Sequence, residues 1–376
     1  MMPAPRAVKR LARIALHRFG GLRAILWSSR NSFRILTYHR FSPDFYPNGQ
    51  AALARQCEFL QRHFRLTPLS EIARSLRNGE PLAPRTLAVT IDDGYRDFLT
   101  EAMPVFERWK VPATVYLISD FIDGKLWPWW NRLSFAVMHT RKKLVSIRVG
   151  ETVEELRLTT GVEREDAVSR ITARMVRVRD RLRLEFIESL EAVFEVEIPR
   201  EAPPEYAALT WDDVRKLADA GVEFGAHTRT HPVLPNVEDA DALREEIAGS
   251  RARIERELGR PVIHFCYPNG DWNDETERIV AQCGFATAVT TRAELNRRGA
   301  DCYRLKRLSA EPGLPREYFR EEVAGLHAGW GSGGDRPAGA QCPQSARNAA
   351  VPDAAPGLCY AGRFGATWLP YARKLS

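Results

Sequence analysis

Residues 87–94 read Leu-Ala-Val-Thr-Ile-Asp-Asp-Gly, an apolar and β-branched run that stops at two carboxylates and a glycine. A short apolar run bounded by turn residues predicts a buried strand. In α/β folds the residues that carry chemistry lie at the carboxyl ends of such strands. Asp92 and Asp93 are therefore candidate site residues, although Asp and Gly are also ordinary turn residues.

Strand and helix patterns alternate on both sides of this stretch. Apolar runs predict strands at residues 34–38, 113–118, 222–226, 262–265 and 286–289. Helical spacing of apolar residues predicts helices at residues 53–64, 103–109, 242–258 and 274–283. The alternation predicts an α/β fold with βα units around a parallel sheet or barrel, extending over residues 31–326.

Three segments depart from this pattern. Residues 140–206 are rich in charge and helical in period, which predicts an inserted helical segment. Residues 1–30 combine helical spacing with a basic face, typical either of a helix on an anionic membrane surface or of one packed on its own domain. Residues 327–376 are dominated by Gly, Ala and Pro and are expected to be a disordered tail.

The charge of the chain is concentrated at its ends. The formal net charge is +7, but nine Lys and Arg precede the first acidic residue, Asp44, and the stretch 41–326 is net negative. This distribution argues against a nucleic-acid partner. The sequence shows no secretory signal and no membrane span, so we expect a cytoplasmic or peripheral-membrane protein. Six cysteines without a CxxC pair predict reduced thiols.

Two further motifs follow predicted strands. His227-Thr228-Arg229-Thr230-His231 places two histidines at i and i+4, a spacing that lets both bind one metal from one side of a helical turn. Phe265-Cys266-Tyr267-Pro268-Asn269-Gly270 forms a turn that can present a backbone N–H to a reacting oxygen. One Asp and two His form a three-ligand site with open coordination positions, and the second Asp is then available to accept a proton.

TIDDG, HTRTH and FCYPNG, in this order, resemble the motifs of the polysaccharide deacetylase family, the family-four carbohydrate esterases. The resemblance extends from about Ile35 to Leu308 and implies a distorted (β/α)7 barrel that removes N-acetyl groups from GlcNAc-type sugars. It further implies that Asp92 is the catalytic base and that the backbone N–H of Tyr267 binds the oxyanion. Asp93, His227 and His231 would hold a divalent metal, zinc in the first place, with cobalt, nickel or manganese as alternatives.

The sequence departs from the family pattern at two positions. Most members have an R-x-P-Y motif whose arginine orients the base, but Phe265 stands in that neighbourhood, so the residue that orients Asp92 is unidentified. Most also have a late L-x-H histidine as general acid, and residues 303–308 contain none. A branch with Y-P-x-G motifs takes its acid from an early Tyr-His element, which Tyr38-His39 resembles. His39 is therefore the expected acid; the alternative is that it only caps the first strand.

Other residues are candidates for binding sugar. Trp127 and Trp130, with Trp129, could stack on sugar rings, although such clusters more often pack in a core. Pro268 is a further candidate for contact with the substrate. His264, inside an apolar run, is expected to be buried and hydrogen-bonded rather than a ligand.

Three functions agree with these residues to different degrees. The first is a metal-dependent deacetylase of an acetylated polysaccharide or oligosaccharide. The second is a carbohydrate-binding protein that keeps the fold without turnover, which the missing arginine and late histidine favour and the intact Asp92 opposes. The third is an iron oxygenase with two histidines and one carboxylate, which leaves the second aspartate without a role.

Overall fold

The structure is a computed structural model, and it describes residues 20–326. Of the predicted N-terminal helix, only the last part lies within this range, as the helix Gly21–Ser28. The predicted tail, residues 327–376, lies outside the described residues. Within residues 20–326 no helix combines the length and the apolar character needed to cross a membrane.

Ten strands are present between residues 20 and 326, and their bounds follow in chain order. They are Arg34–Tyr38 (β1), Arg65–Leu66 (β2), Thr86–Ile91 (β3), Ala113–Leu117 (β4), Leu144–Val149 (β5), Thr152–Arg157 (β6), Glu223–Ala226 (β7), His264–Cys266 (β8), Thr287–Val289 (β9) and Leu308–Ser309 (β10).

Seven of these strands form a curled parallel sheet in the order β10-β1-β3-β4-β7-β8-β9, and β2 pairs beside β3. A bridge between Val289 and Leu305 brings β9 next to the segment that leads into β10. Because Leu305 pairs with β9 and Leu308 pairs with β1, the segment 303–308 bridges the first and last strands of the barrel. The predicted distorted (β/α)7 barrel is confirmed.

Fourteen α-helices accompany the described strands. They are Gly21–Ser28 (α1), Gly49–His63 (α2), Leu69–Arg77 (α3), Met103–Trp109 (α4), Ser119–Ile122 (α5), Trp129–His139 (α6), Gly161–Met175 (α7), Asp180–Glu188 (α8), Leu190–Phe194 (α9), Trp211–Asp219 (α10), Ala240–Arg244 (α11), Ser250–Leu258 (α12), Asp274–Gln282 (α13) and Arg316–Ala324 (α14). The helix predicted at residues 242–258 is interrupted by a wide turn with π-type hydrogen bonds at Glu245–Gly249, between α11 and α12.

The inserted segment differs from its prediction, because it is not helical throughout. β5 and β6 form an antiparallel hairpin, and in β5 exposed and buried residues alternate from Leu144 to Val149. This period of two is the pattern of a strand with one buried face, and Gly150 lies at the turn. The hairpin and helices α6 to α9 share a hydrophobic cluster with Tyr95, Ile118 and Phe121 of the barrel. The insertion therefore packs against the barrel loops that follow β3 and β4.

Candidate active site

Asp92 and Asp93 lie directly after β3, at the carboxyl end of the barrel. Asp93 has a φ of 75°, and Gly94 has a φ of 88°, both in the left-handed region. A Cβ atom on Gly94 would come within 2.8 Å of Leu117 Cδ2, so a side chain does not fit there. The sharp turn lets two consecutive carboxylates face different neighbours.

Arg307 holds Asp92 by two hydrogen bonds, and the sequence analysis missed it. Its Nη1 donates to Asp92 Oδ1 at 2.7 Å and its Nη2 to Oδ2 at 2.8 Å. Both side chains are almost fully buried. Arg307 is thus the residue that orients the predicted base. The only signal in the sequence is a pair of basic residues, Lys306 and Arg307, between Leu305 and Leu308, and it does not distinguish one from the other.

The pKa values of the two carboxylates are shifted in opposite directions. Burial alone would raise the pKa of Asp92, but the charge and the hydrogen bonds of Arg307 more than offset it and hold that pKa well below its ordinary value. The pKa of Asp93 is raised well above its ordinary value, first by burial and then by the charge of Asp92. A cation bound at Asp93 would lower this pKa again, because its positive charge opposes the effects of burial and of the Asp92 charge.

His227 and His231 approach Asp93 from the loop after β7. Their Nε2 atoms lie 3.6 Å and 3.9 Å from Asp93 Oδ1. The loop is not the helical turn that the i, i+4 spacing suggested, because Thr228 and His231 have φ values of 65° and 60°. His227 Nδ1 lies 2.8 Å from the carbonyl oxygen of Cys266, which leaves Nε2 available as a ligand.

Asp93, His227 and His231 fit a divalent cation. Their ligand atoms lie within 4.8 Å of one another, and all three residues are buried. Burial lowers the pKa of His227 to about 4 and that of His231 well below its ordinary value, so both imidazoles are neutral, the form that binds metal. Asp92, His227 and Cys266 form a second such group. The guanidinium of Arg307, 3.2 Å from Cys266 Sγ, makes that second position unfavourable for a cation.

His39 lies on the other side of Asp92, directly after β1. Its Nε2 is 3.6 Å from Asp92 Oδ2, and its side chain is 34% exposed. Burial, the largest effect, lowers the pKa of His39, the charge of Asp92 raises it, and Arg307 and Arg40 lower it again. The imidazole therefore reaches both the predicted base and solvent.

The oxyanion role predicted for the backbone N–H of Tyr267 disagrees with the structure. This N–H donates to the carbonyl oxygen of Val289 at 3.2 Å, as part of the bonding between β8 and β9. It is therefore not free for a reacting oxygen.

The other residues of the FCYPNG motif lie around this strand end. Pro268 is buried in the turn that follows. Phe265 packs against Tyr267 and Phe285, and it is the next residue, Cys266, whose Sγ lies 3.6 Å from Asp92 Oδ2.

The two tryptophans proposed to bind sugar have different surroundings. Trp127 is 4% exposed and packs against Phe135 and Tyr206, so it belongs to the core of the insertion and is not available for stacking. Trp130 is half-buried, with its ring centroid 4.6 Å from that of His231. Its Nε1 donates to the hydroxyl of Tyr95 at 3.1 Å. The first turn of α6 therefore lies beside the candidate metal ligands.

His264 has the surroundings that were predicted for it. The residue is 2% exposed, and its Nδ1 lies 2.7 Å from the hydroxyl of Thr287. It is thus a buried histidine with a hydrogen bond inside the sheet, outside the group formed by Asp93, His227 and His231.

Comparison with known families and proteins shows what the chain is similar to. The profile of a family described as "Polysaccharide deacetylase" matches residues 79–288, more than half of the chain. A poly-beta-1,6-N-acetyl-D-glucosamine N-deacetylase of Escherichia coli (strain K12) is 24% identical over 99 residues. That alignment covers 25% of this chain and 15% of the relative, so it concerns a small part of the longer protein.

Two solved structures resemble the fold over most of its length. The deacetylase PplD of Streptococcus pyogenes has a TM-score of 0.51 at 18% identity, covering 78% of this chain and 98% of PplD. IcaB from Ammonifex degensii has a TM-score of 0.51 at 17% identity, covering 78% of this chain and 96% of IcaB. At these identities the likeness shows a common fold.

Proposed function

Because the chain belongs to the polysaccharide deacetylase family, we propose that it is a metal-dependent hydrolase that removes N-acetyl groups from a GlcNAc-type polysaccharide or oligosaccharide. The observation that carries this proposal is the position of the Asp92 carboxylate, held by two hydrogen bonds from Arg307, beside the group formed by Asp93, His227 and His231. The name of the Escherichia coli relative supports the GlcNAc-type substrate.

In this proposal Asp93, His227 and His231 hold the divalent cation, with zinc as the expected ion and cobalt, nickel or manganese as alternatives. When bound, such a cation polarises a carbonyl oxygen and lowers the pKa of water. The neutral imidazoles and the buried carboxylate supply the donor set that this ion requires. No second carboxylate is needed as a ligand, which leaves Asp92 for proton transfer.

Asp92 acts as the general base. Arg307 keeps it ionised and fixes the plane of its carboxylate through two parallel hydrogen bonds, a geometry that a guanidinium is suited to provide. Thr37 adds a contact from its hydroxyl to Oδ2 at 3.4 Å. A base held in one orientation takes the proton of the attacking water without a reorganisation of its own.

His39 acts as the general acid that protonates the leaving amine. Its partial exposure lets it exchange protons with solvent, and its position beside Asp92 places it at the same carboxyl end of the barrel. Trp130, next to His231, is proposed to contact the sugar, whereas Pro268 and Trp127 are buried. We also propose that the basic N-terminal segment makes peripheral contact with an anionic membrane.

The carbohydrate-binding alternative loses one of its two arguments. It rested on a missing arginine and a missing late histidine, and Arg307 fills the position beside the base that the arginine would occupy. The early His39 is the proposed replacement for the histidine.

Acetate release tests the proposed activity. The metal-loaded protein is incubated with a panel of acetylated oligosaccharides, including GlcNAc oligomers, and compared with Asp92→Asn. We expect release by the native protein alone, since an amide cannot accept the proton of the attacking water. Failure to release acetate from any acetylated sugar, together with retained sugar binding, would instead support the binding protein.

A further inference from the structure

The loop that carries both candidate histidine ligands is held by backbone bonds from Ser119 and Asp120 to Thr228 and Arg229 and, on its other side, by the carboxylate of Glu246. In the segment from His227 to His231, two residues have the left-handed backbone conformation that non-glycine residues rarely adopt. Such strained segments persist only where their surroundings hold them in place. Thr228 contributes a bond within the loop, because its hydroxyl accepts the N–H of His231 at 3.0 Å.

Glu246 makes three hydrogen bonds to the middle of this loop. Its Oε2 accepts the backbone N–H groups of Arg229 at 2.8 Å and Thr230 at 2.9 Å. Its Oε1 accepts the hydroxyl of Thr230 at 2.7 Å. These bonds lie between the two ligands, and they are the bonds between a side chain and the backbone N–H groups of Arg229 and Thr230.

The position of Glu246 in the fold makes it a rigid support. It belongs to the wide turn Glu245–Gly249 between α11 and α12. In the same turn Ile247 is fully buried, and its carbonyl oxygen accepts the hydroxyl of Ser250 at 2.9 Å. Extra turns of this kind inside helices are common at functional sites. Glu246 itself is half-buried, and the turn that carries it is anchored in the core of the barrel through Ile247.

We propose that Glu246 is a positioning residue for the metal site, which sets the distance between His227 and His231 through their connecting loop. This inference rests on the proposed function, because it assumes that the two histidines bind a metal. Partners that orient metal ligands contribute to affinity without touching the ion, and their loss typically weakens metal binding by about 10- to 100-fold.

The chain offers a matched control in the neighbouring residue, Glu245. This carboxylate lies in the same turn but is exposed, and it bonds the side chain of Arg229, Nη1 to Oε1 at 2.7 Å. Among the described residues its carboxylate bonds the side chain of Arg229 and not the loop backbone. A substitution at Glu245 therefore removes a charge near the loop while the three bonds of Glu246 remain.

The experiment measures the affinity of full-length apoprotein for Zn²⁺ and Co²⁺ by competition with a chelating dye, with thermal melting of each apoprotein in parallel. Glu246→Met removes all three acceptors and is expected to weaken binding by about 10- to 100-fold. Glu246→Gln is expected to stay near the native affinity, because its carbonyl can accept both N–H groups and its amide can donate to Thr230. Glu245→Gln is expected to match the native protein.

Two results would overturn the inference. The first is a metal affinity in folded Glu246→Met equal to that of the native protein. If Glu246→Met does not fold, a native metal affinity in Glu246→Asp overturns the inference instead, because the shorter side chain moves the carboxylate away from the loop but keeps its charge. The second is weakening in Glu246→Gln as large as in Glu246→Met, which would assign the effect to charge. A native protein that binds metal no better than His227→Ala is a different outcome, which overturns the metal site itself and this inference with it.

Discussion

Asp92 and Asp93 are neighbours in the chain, yet the structure gives them opposite surroundings. Asp92 faces the guanidinium of Arg307, and Asp93 faces the two imidazoles of His227 and His231. The left-handed backbone at Asp93 separates the two side chains. One carboxylate is thus suited to accept a proton and the other to bind a cation.

We expect substitutions to separate these two roles. Asp93→Ala should lose both metal and activity, because it removes a ligand. Asp92→Asn should keep the metal and the substrate affinity and lose turnover, because it removes only the proton acceptor. Metal content of the purified variants, measured beside acetate release, checks this. Metal loss in Asp92→Asn with retained metal in Asp93→Ala would reverse the assignment.

Removal of Arg307 should change the pH dependence of the reaction. In the native protein the pKa of Asp92 lies well below its ordinary value, so the base is ionised throughout the working range. In Arg307→Met burial remains without the opposing cation, and the pKa of Asp92 should rise. Activity of the variant should then fall as the pH is lowered from neutral, because Asp92 becomes protonated. Over the same pH range the native protein should lose no activity through protonation of Asp92. The profile of kcat/KM against pH checks this, with the exposed Arg304→Met as control.

His39 is expected to control the alkaline side of the same profile. A general acid must be protonated, so activity falls as the pH rises through its pKa. The His39→Ala variant should keep its metal, lose roughly 10²- to 10⁴-fold in rate, and lose this alkaline limb. Unchanged activity in His39→Ala contradicts the assignment and leaves the acid unidentified.

At the scale of elements, one buried arginine at the amino end of β1 joins the carboxyl ends of two helices. The Nε of Arg34 donates to the carbonyl oxygen of Val323 at 2.7 Å, at the end of α14. Its Nη1 donates to the carbonyl oxygen of Ser29, which follows α1, at 3.3 Å. A cation at a helix carboxyl end is favoured by the helix dipole and by the unpaired carbonyl groups.

Arg34→Met should therefore destabilise the fold by roughly 3 kcal/mol, because it leaves buried carbonyl groups without donors. Urea denaturation of the full chain checks this. The matched control is Arg23→Met at an exposed position of α1, which should change the free energy of unfolding by less than about 0.5 kcal/mol. Equal effects of the two substitutions would show that Arg34 has no special part in joining the helix ends.

At the scale of the whole molecule, the described part of the basic N-terminal segment combines a residue packed in the core with an exposed tryptophan. Its part within the described residues, α1, exposes Trp27 to 60%, while Leu26 packs in the core. Most of its basic residues lie outside the described range. An exposed tryptophan beside a basic segment is typical of a surface that contacts the membrane interface.

We expect the full chain to sediment with anionic vesicles and not with neutral ones. Each Lys or Arg near such a surface contributes about 1 kcal/mol, and salt screens this attraction. The double variant Arg10→Glu/Arg13→Glu should sediment less, while its acetate release from soluble oligosaccharides should not change. Equal sedimentation with both kinds of vesicle, or no decrease at high salt, contradicts the prediction.

Six strands of the barrel and the polar residues at their ends could be predicted from the sequence alone, because a short run of mostly apolar and β-branched residues that stops at polar ones marks a buried strand. The α/β class, Asp92 and Asp93, and the two histidines followed from that local pattern. Tertiary structure decided what distant residues do to one another. Arg307 reaches Asp92 across 215 positions, Trp127 is buried by the insertion, and the N–H of Tyr267 is bonded to Val289. These contacts form only when the barrel closes. The spacing of residues along the chain does not predict which distant side chains then come into contact.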